Sequence, residues 1–303
     1  MIEQPGAPAS VVPDYSLARL TTVRTGGPAQ YFARAGSEEE IERLLRWARE
    51  NGLAVNIVGS GSNLLVADAG VRGLVIKLHR GLAAIERREA TLLCGGGARL
   101  PAVAARAAQL GLAGIEFGVN IPGTVGGAVR MNANAYGGQL ARVLEWVTVV
   151  TAEGAEQRVP DQLGFAYRRS SLRPDEVVAR AGFVLTPGRS DAIRARLAEM
   201  RSRRHAAQPS GIKTFGSTFK NPEDPRAAGR TAGMLLEAAG CAGLAVGGAR
   251  FSPKHANFIE NTGEATTADV VGLMAEGRRR VRERFGVELE PEVQVLGDVG
   301  LPG

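Results

Sequence analysis

Residues 118–137 read GVNIPGTVGGAVRMNANAYG. Gly118, Gly123, Gly126, Gly127 and Gly137 stand there among Pro122, Thr124, Asn132 and Asn134. Glycine accepts backbone angles closed to other residues, and without a Cβ it lets a ligand approach the main chain. Such a run reads as poor helix or strand. It reads better as a cradle of backbone N–H groups for a flat or phosphate-bearing ligand. VGSGSNLL at 58–65 is a second loop of this kind, and Thr22, Thr25, Gly26 and Gly27 form a third cluster upstream. Several glycine loops on one chain point to an extended nucleotide cofactor held at more than one place.

The usual nucleotide fingerprints do not fit. VGSGSN supplies Gly59 and Gly61, but Leu64 stands where a parallel βαβ dinucleotide motif needs its third glycine. No P-loop GK[ST] and no G-x-S-x-G elbow occurs. His79, His205 and His255 are scattered without ligand spacing, so no metal site is expected. Cys94 and Cys241 lie far apart and read as small buried hydrophobes.

Around these loops the chain alternates helix and strand patterns. Ser37 and Glu40 spell a capping box, Ile41, Leu44, Leu45 and Ala48 form one apolar face, and Gly52 closes that helix. A β-run at 53–58 leads into the glycine loop at 59–63, and two further β-runs reach Leu78. Strands are expected at 91–94, 143–150 and 177–185, and helices at 100–110, 190–204, 229–239 and 267–285. Residues 246–259 and 287–296 also read as extended. Residues 1–20, with Pro5, Pro8 and Pro13, read as a loosely held lead-in.

The whole is an α+β chain in three parts, 1–80, 81–207 and 208–286, with 287–303 positioned to return to the first. Its 303 residues, 44% hydrophobic and 22% charged, suit a globular enzyme with two or three cores. Forty glycines are about 13% of the chain, against an average near 7%. The net charge is +6, and the densest basic runs, Arg201–Arg204 and Arg278–Arg284, lie on helix-like segments interspersed with glutamates. Aromatics make up only 5%, too few to stack bases beside those arginines, so no nucleic acid is expected as a partner. No apolar run approaches membrane-spanning length, and no secretory leader is visible; a cytoplasmic protein without membrane association is expected.

Three further clusters carry reactive side chains: Tyr167, Arg168 and Ser170 in FAYRRSS, Gly216, Ser217, Lys220 and Asn221 in FGSTFKNP, and Glu290 and Glu292 in LEPEV. Spacing alone leaves each open between an ordinary surface role and a catalytic one. Taken in order, TVRTGGPA, VGSGSNLL, IPGTVGGAVRMNANAYG, YRRSSL, GSTFKNP, GGARFSPKHANFIEN and LEPEV resemble the UDP-N-acetylenolpyruvoylglucosamine reductases of bacterial peptidoglycan synthesis. The likeness runs from about Thr22 to Gly297.

The resemblance implies a two-part FAD-binding fold of the vanillyl-alcohol oxidase (PCMH) type, followed by a C-terminal α/β substrate-binding domain. It places FAD contacts on Gly59, Ser60, Gly61, Ser62 and Asn63, and on Ile121, Gly123, Thr124, Gly126 and Gly127. Neither loop holds a His or Cys, so the flavin is expected to be non-covalent. Arg168, Ser217 and Glu292 match catalytic positions; Asn221, Lys254, His255 and Asn257 fall at or near the substrate. With no tyrosine between Ser170 and Ser217, the chain resembles the shorter type of the family. Gln294 stands where the family often has Arg.

The implied reaction passes a hydride from NADPH, by way of FAD, to the β-carbon of UDP-N-acetylglucosamine enolpyruvate, and a proton to the α-carbon. That chemistry requires a cation at the substrate carboxylate, which suits Arg168. It also requires a proton donor, which suits Ser217, with Lys220 as a candidate to polarise it. Glu292 either carries a proton when substrate is bound or orients Arg168. A flavoprotein of the same fold acting on an alcohol is the alternative reading.

Overall fold

The computed structural model of the chain describes residues 6–300. The start of the expected lead-in, residues 1–5, and the last three residues of the returning segment lie outside them. The chain divides into two compact units, each gathered from separate stretches. One comprises residues 1–14, 30–60 and 72–204, the other 15–29, 61–71 and 205–303. The linear stretches expected from sequence are thus distributed over the two: 15–29 and 61–71 group with the C-terminal third rather than with the rest of 1–80.

In the first unit, helix α1 (Glu38–Glu50) starts where the Ser37 side chain accepts from the Glu40 N–H, and Glu40 Oε2 accepts from Gly36 N–H at 2.6 Å. Gly52, at φ +62°, follows its end. Ile41, Leu44, Leu45, Trp47 and Ala48 are buried, and Trp47 meets Tyr31 edge-on at 5.4 Å. Each large apolar side chain buried here contributes about 1.5–3 kcal/mol, so a charge at Ile41 would break the face. The helix covers a sheet ordered Val11–Ser16, Pro28–Ala35, Val71–Leu78, Val55–Ile57. Its last pair is parallel, with Ile57 opposite Ile76. The lead-in is therefore a strand from Val11 onward rather than loose chain.

A second sheet of the same unit is antiparallel throughout, ordered Gly154–Arg158, Leu144–Thr151, Val177–Val184, Thr91–Gly95, Ile85–Arg88. Helices α2 (Leu100–Gln109) and α3 (Val125–Arg130) share its core. Helix α3 corrects the expectation that the long glycine run avoids regular structure. Two glycines in a helix cost about 1 kcal/mol each. Here close approach prevails: a Cβ on Gly126 would lie 3.2 Å from Gly96 O and 3.3 Å from Val178 O. Helix α4 (Ser190–Ala207) lays Ile193 and Leu197 against Ala104 and Ala108.

The second unit is built on helix α5 (Ala232–Ala238) and the long helix α6 (Thr267–Phe285). Thr266 and Asp269 form a reciprocal capping box, and Gly286 at φ +67° ends α6. A three-stranded antiparallel sheet (Ala245–Val246, Ala249–Phe251, Ile259–Asn261) packs with Phe215, Phe219 and Leu235. The expected run at 246–259 is broken by a turn in which Ser252 N–H donates to Phe258 O at 2.7 Å. In the last extended segment, Gln294–Leu296 pairs in parallel with Leu64–Val66, and Pro291 bridges Phe219. Among the described residues no helix is long and apolar enough to cross a membrane.

Candidate active site

Within the first unit, the strand Val55–Ile57 delivers Val58 and Gly59 to one wall of a cleft, with Val58 N–H fixed on Ile76 O at 2.9 Å. The opposite wall is the first turn of α3, and Gly96, Gly97 and Val177–Val178 complete the lining. The cleft is partly open to solvent. Gly59, Gly96, Gly97, Gly126 and Gly127 stand in its lining beside side chains such as Ile57, Leu78, Thr124 and Arg130. A Cβ on Gly59 would meet Thr124 Oγ1 at 2.5 Å, and one on Gly96 would overlap Val178 O.

Gly127 and Gly123 differ in kind. An added Cβ would meet only Thr124 Oγ1 at 3.5 Å and Ile121 Cγ2 at 3.9 Å, respectively, and neither residue has a positive φ. Chain packing does not demand glycine at either position. At Gly127 a Cβ would project from the cleft wall, which is what a closely seated flat or diphosphate group forbids. The residues present therefore fit a flavin nucleotide.

The N–H supply differs from the expected cradle. At α3, Val125 N–H donates to Ala98 O and Gly126 N–H to Gly96 O, while Gly127 N–H reaches Thr124 Oγ1 at 3.4 Å. The N–H groups of Gly59 and Ser60 donate to nothing among the described residues. Donors for an anion thus come from the 59–60 turn, and the 125–127 turn contributes shape. Sequence reading missed Lys77, whose ammonium donates to the Gly59 carbonyl. Burial, then repulsion from Arg34 and Arg99, holds its pKa below the usual lysine range. A lysine inside the β-pattern VRGLVIKL carried no signal for this. Arg130 straps the cleft floor by donating to the carbonyls of Leu172, Arg173 and Glu176 at 2.7–3.1 Å.

In the same unit, Arg168 occupies the tight turn Ala166–Arg169, closed by reciprocal main-chain bonds of 3.0 and 3.2 Å. Its φ is +55°, a conformation that costs a non-glycine residue of order 1 kcal/mol or more and concentrates at functional sites. Arg168 Nη1 donates to Asn134 O at 3.2 Å, and the guanidinium lies 5.4 Å from the Tyr167 ring centre. Asn132, also at positive φ, donates to Ala166 O at 3.2 Å. The asparagines of the long glycine run thus hold the arginine turn.

In the second unit the backbone brings Ser217 and Glu292 onto one short sheet-like layer. Ser217 bridges Phe258, and Phe219 bridges Pro291. Thr218 N–H donates to Asn257 O, and Glu292 N–H donates to Thr218 O, both at 2.8 Å. Asn63 joins this layer: its Nδ2 donates to Glu292 O at 3.2 Å. The TVRTGG cluster is the support beneath. Thr22 N–H and Oγ1 donate to Gly61 O at 3.0 and 3.2 Å, and Oγ1 reaches Thr214 O at 2.6 Å. Gly61, at φ +64°, has no room for a Cβ beside Leu20 O.

The remaining expected residues separate by how their polar atoms are used. Asn257 is 4% exposed, accepts from Phe219 N–H and donates to Phe219 O, both at 2.9 Å. Asn221 Oδ1 accepts from Ala232 N–H at 3.1 Å. Lys254 Nζ donates to His205 O at 2.6 Å, and His255 Nδ1 accepts from Asn257 N–H at 3.2 Å. Lys220 forms an ion pair with Glu290 at 3.0 Å, which directs its ammonium to that carboxylate rather than to Ser217.

The glycine-rich cleft of the first unit, which fits a flavin, points to an FAD-dependent oxidoreductase. Residues 29–159 match the FAD binding domain family, and residues 208–296 match the UDP-N-acetylenolpyruvoylglucosamine reductase C-terminal domain. UDP-N-acetylenolpyruvoylglucosamine reductase 2 of Symbiobacterium thermophilum is 45% identical over 283 residues, 93% of this chain and 90% of that protein. The Rubrobacter xylanophilus reductase is 43% identical over 287 residues, covering 94% and 95%. The crystal structure of the Thermus caldophilus enzyme superposes with a TM-score of 0.81 at 36% identity, covering 95% of this chain and 98% of that one. This chain belongs to the UDP-N-acetylenolpyruvoylglucosamine reductase family. Its fold is the two-part flavin-binding architecture with the family's C-terminal domain, as the motif order implied.

Proposed function

We propose that the chain reduces UDP-N-acetylglucosamine enolpyruvate to UDP-N-acetylmuramate for peptidoglycan synthesis, acting in the cytoplasm with NADPH as electron source and non-covalent FAD. When bound, FAD supplies a two-electron carrier between nicotinamide and the alkene carbon. Every other requirement falls on side chains of this chain. Gly59, Ser60, Gly61, Ser62 and Asn63 hold the cofactor through their N–H groups. Ile121, Gly123, Thr124, Gly126 and Gly127 shape the wall against it.

Charge that develops on the enolpyruvyl carboxylate needs a fixed cation. Arg168 stays charged and offers two parallel N–H groups. Ser217 donates its proton to the α-carbon; a hydroxyl suffices because the carbanion-like centre is a strong base. Glu292 manages the second carboxylate oxygen as an acid or fixes Arg168. Asn221, Lys254 and His255 face the nucleotide-sugar part of the substrate. Asn257, with both amide atoms on Phe219, supports the Ser217 strand instead.

The observation that carries this reading is the Glu292 N–H on Thr218 O, which fixes the glutamate one residue across from Ser217. The test is the visible spectrum of the purified protein under anaerobic conditions. NADPH should bleach the flavin band, and UDP-N-acetylglucosamine enolpyruvate should restore it. Bleaching without recolouring by this substrate would reject the substrate and keep the flavin fold.

A further inference from the structure

The main-chain carbonyl of Glu292 receives two side-chain amides: Asn63 Nδ2 at 3.2 Å and Gln294 Nε2 at 3.3 Å. We propose that Asn63 and Gln294 are positioning residues that fasten Glu292 to the Gly61–Asn63 segment, so that the cofactor loop and the catalytic glutamate move as one body. The proposal rests on Glu292 being catalytic.

The register shows why a side chain is needed. The parallel ladder pairs Gln294 with Leu64, and its last main-chain rung is Gln294 N–H on Asn63 O at 3.1 Å. Glu292 lies two residues before Gln294, outside the paired strand. The Asn63 amide, reaching back, adds a bond there, and Gln294 fills the second lone pair of the same oxygen. On its other side the Glu292 N–H is fixed on Thr218 O at 2.8 Å. The glutamate's backbone is thus held from the serine strand and from the cofactor loop together.

Asn63 serves both sides through different atoms. Its own N–H donates to nothing among the described residues and remains available to an anion, while its side chain is spent on Glu292. Gln294 is exposed, and its side-chain amide donates to the Glu292 carbonyl.

The test compares Asn63→Ala, Gln294→Ala, the double variant and Glu292→Gln in FAD-loaded protein. FAD dissociation constants come from fluorescence titration of the apo-protein, and melting temperatures from both forms. Anaerobic stopped flow separates flavin reduction by NADPH from reoxidation by substrate. Asn63→Ala should slow reoxidation about tenfold, the scale of one lost hydrogen bond, and shift its pH profile, with reduction by NADPH little changed. Gln294→Ala should do less alone, because one donor remains, and the double variant should exceed the product of the two. Gln294→Arg, which keeps a donor, should slow reoxidation less than Gln294→Glu.

Equal slowing of both half-reactions, or losses that track melting temperature or FAD affinity, would overturn the proposal. If Asn63→Ala fails to fold, the exposed Gln294 variants decide by the same readouts. Should Glu292→Gln reoxidise normally, the catalytic reading falls and this inference with it. Should Glu292→Gln be slow while both amide variants reoxidise at the parental rate, the clamp alone is refuted.

Discussion

The cleft of the first unit is lined by glycines that approach one another closely, whereas around Ser217 and Glu292 the chain presents side chains whose backbone is bonded on both sides. A Cβ would overlap Thr124 Oγ1 at Gly59 and Val178 O at Gly96, and would crowd Gly96 O at Gly126, so these segments close on each other. Ser217 and Glu292 instead sit on segments stitched by Thr218, Asn257 and Asn63. Under the proposed function, the first region recognises by shape and the second by preorganised chemistry. Substitutions in the second should therefore alter rates by orders of magnitude at unchanged cofactor affinity. Substitutions in the first should do the reverse.

The largest effect is expected at Ser217. If Ser217 is the proton donor as proposed, Ser217→Ala should lower reoxidation by substrate about 10² to 10⁴ with NADPH-driven bleaching intact. Equal losses in both half-reactions would remove Ser217 from the donor role. Arg168→Ala comes next, with reoxidation slower by about 10² to 10³ and weaker substrate saturation. An unchanged oxidative half-reaction would exclude Arg168 from the site.

Gly127→Ala inverts the pattern and tests the cleft. The added Cβ meets only Thr124 Oγ1 at 3.5 Å, and the helix gains up to about 1 kcal/mol in propensity. The apo-protein should melt a few degrees higher, while FAD affinity falls at least about tenfold. A stabilised variant with parental FAD affinity would mean that the ligand does not approach Gly127.

The contrast also explains what could be read from sequence. Glycine has few uses, so loops at 58–65 and 118–137 announced close approach of some kind. They did not say which glycine answers to the chain and which to a ligand. Gly126 and Gly127 are adjacent and look alike, yet Gly126 sits within 3.2–3.3 Å of Gly96 and Val178 oxygens and Gly127 does not. Gly26 and Gly27 looked like a ligand cluster and prove to be packed on Val66 and on Asp68 and Gly70. Helix α1 was legible because its cap, apolar face and terminal glycine agree locally. Asn257 was not, because its partner Phe219 lies 38 residues away and an asparagine advertises neither a ligand nor a backbone partner. Lys77 was hidden for the same reason: its acceptor is a main-chain oxygen 18 residues earlier.

The smallest effect concerns His255, and it tests whether the second unit's site is neutral as built. Its Nδ1 accepts from Asn257 N–H, and its ring packs on Phe258 at 4.9 Å. Burial, outweighing its own backbone bond and the nearby Glu237, holds the imidazole below its ordinary pKa of 6.5. The unfolded chain therefore takes up the proton more readily than the folded one. The contribution to stability is complete above pH 6.5 and declines as the pH falls from there through the folded-state value. His255→Gln removes that proton uptake. Relative to this variant, the parent should lose melting temperature on acidification from about pH 7.5 to 5, by a few degrees at most. Parallel melting curves for the two proteins would show that the fold does not exclude the imidazolium, and the Asn257–His255 support of the Ser217 strand would then be insensitive to charge.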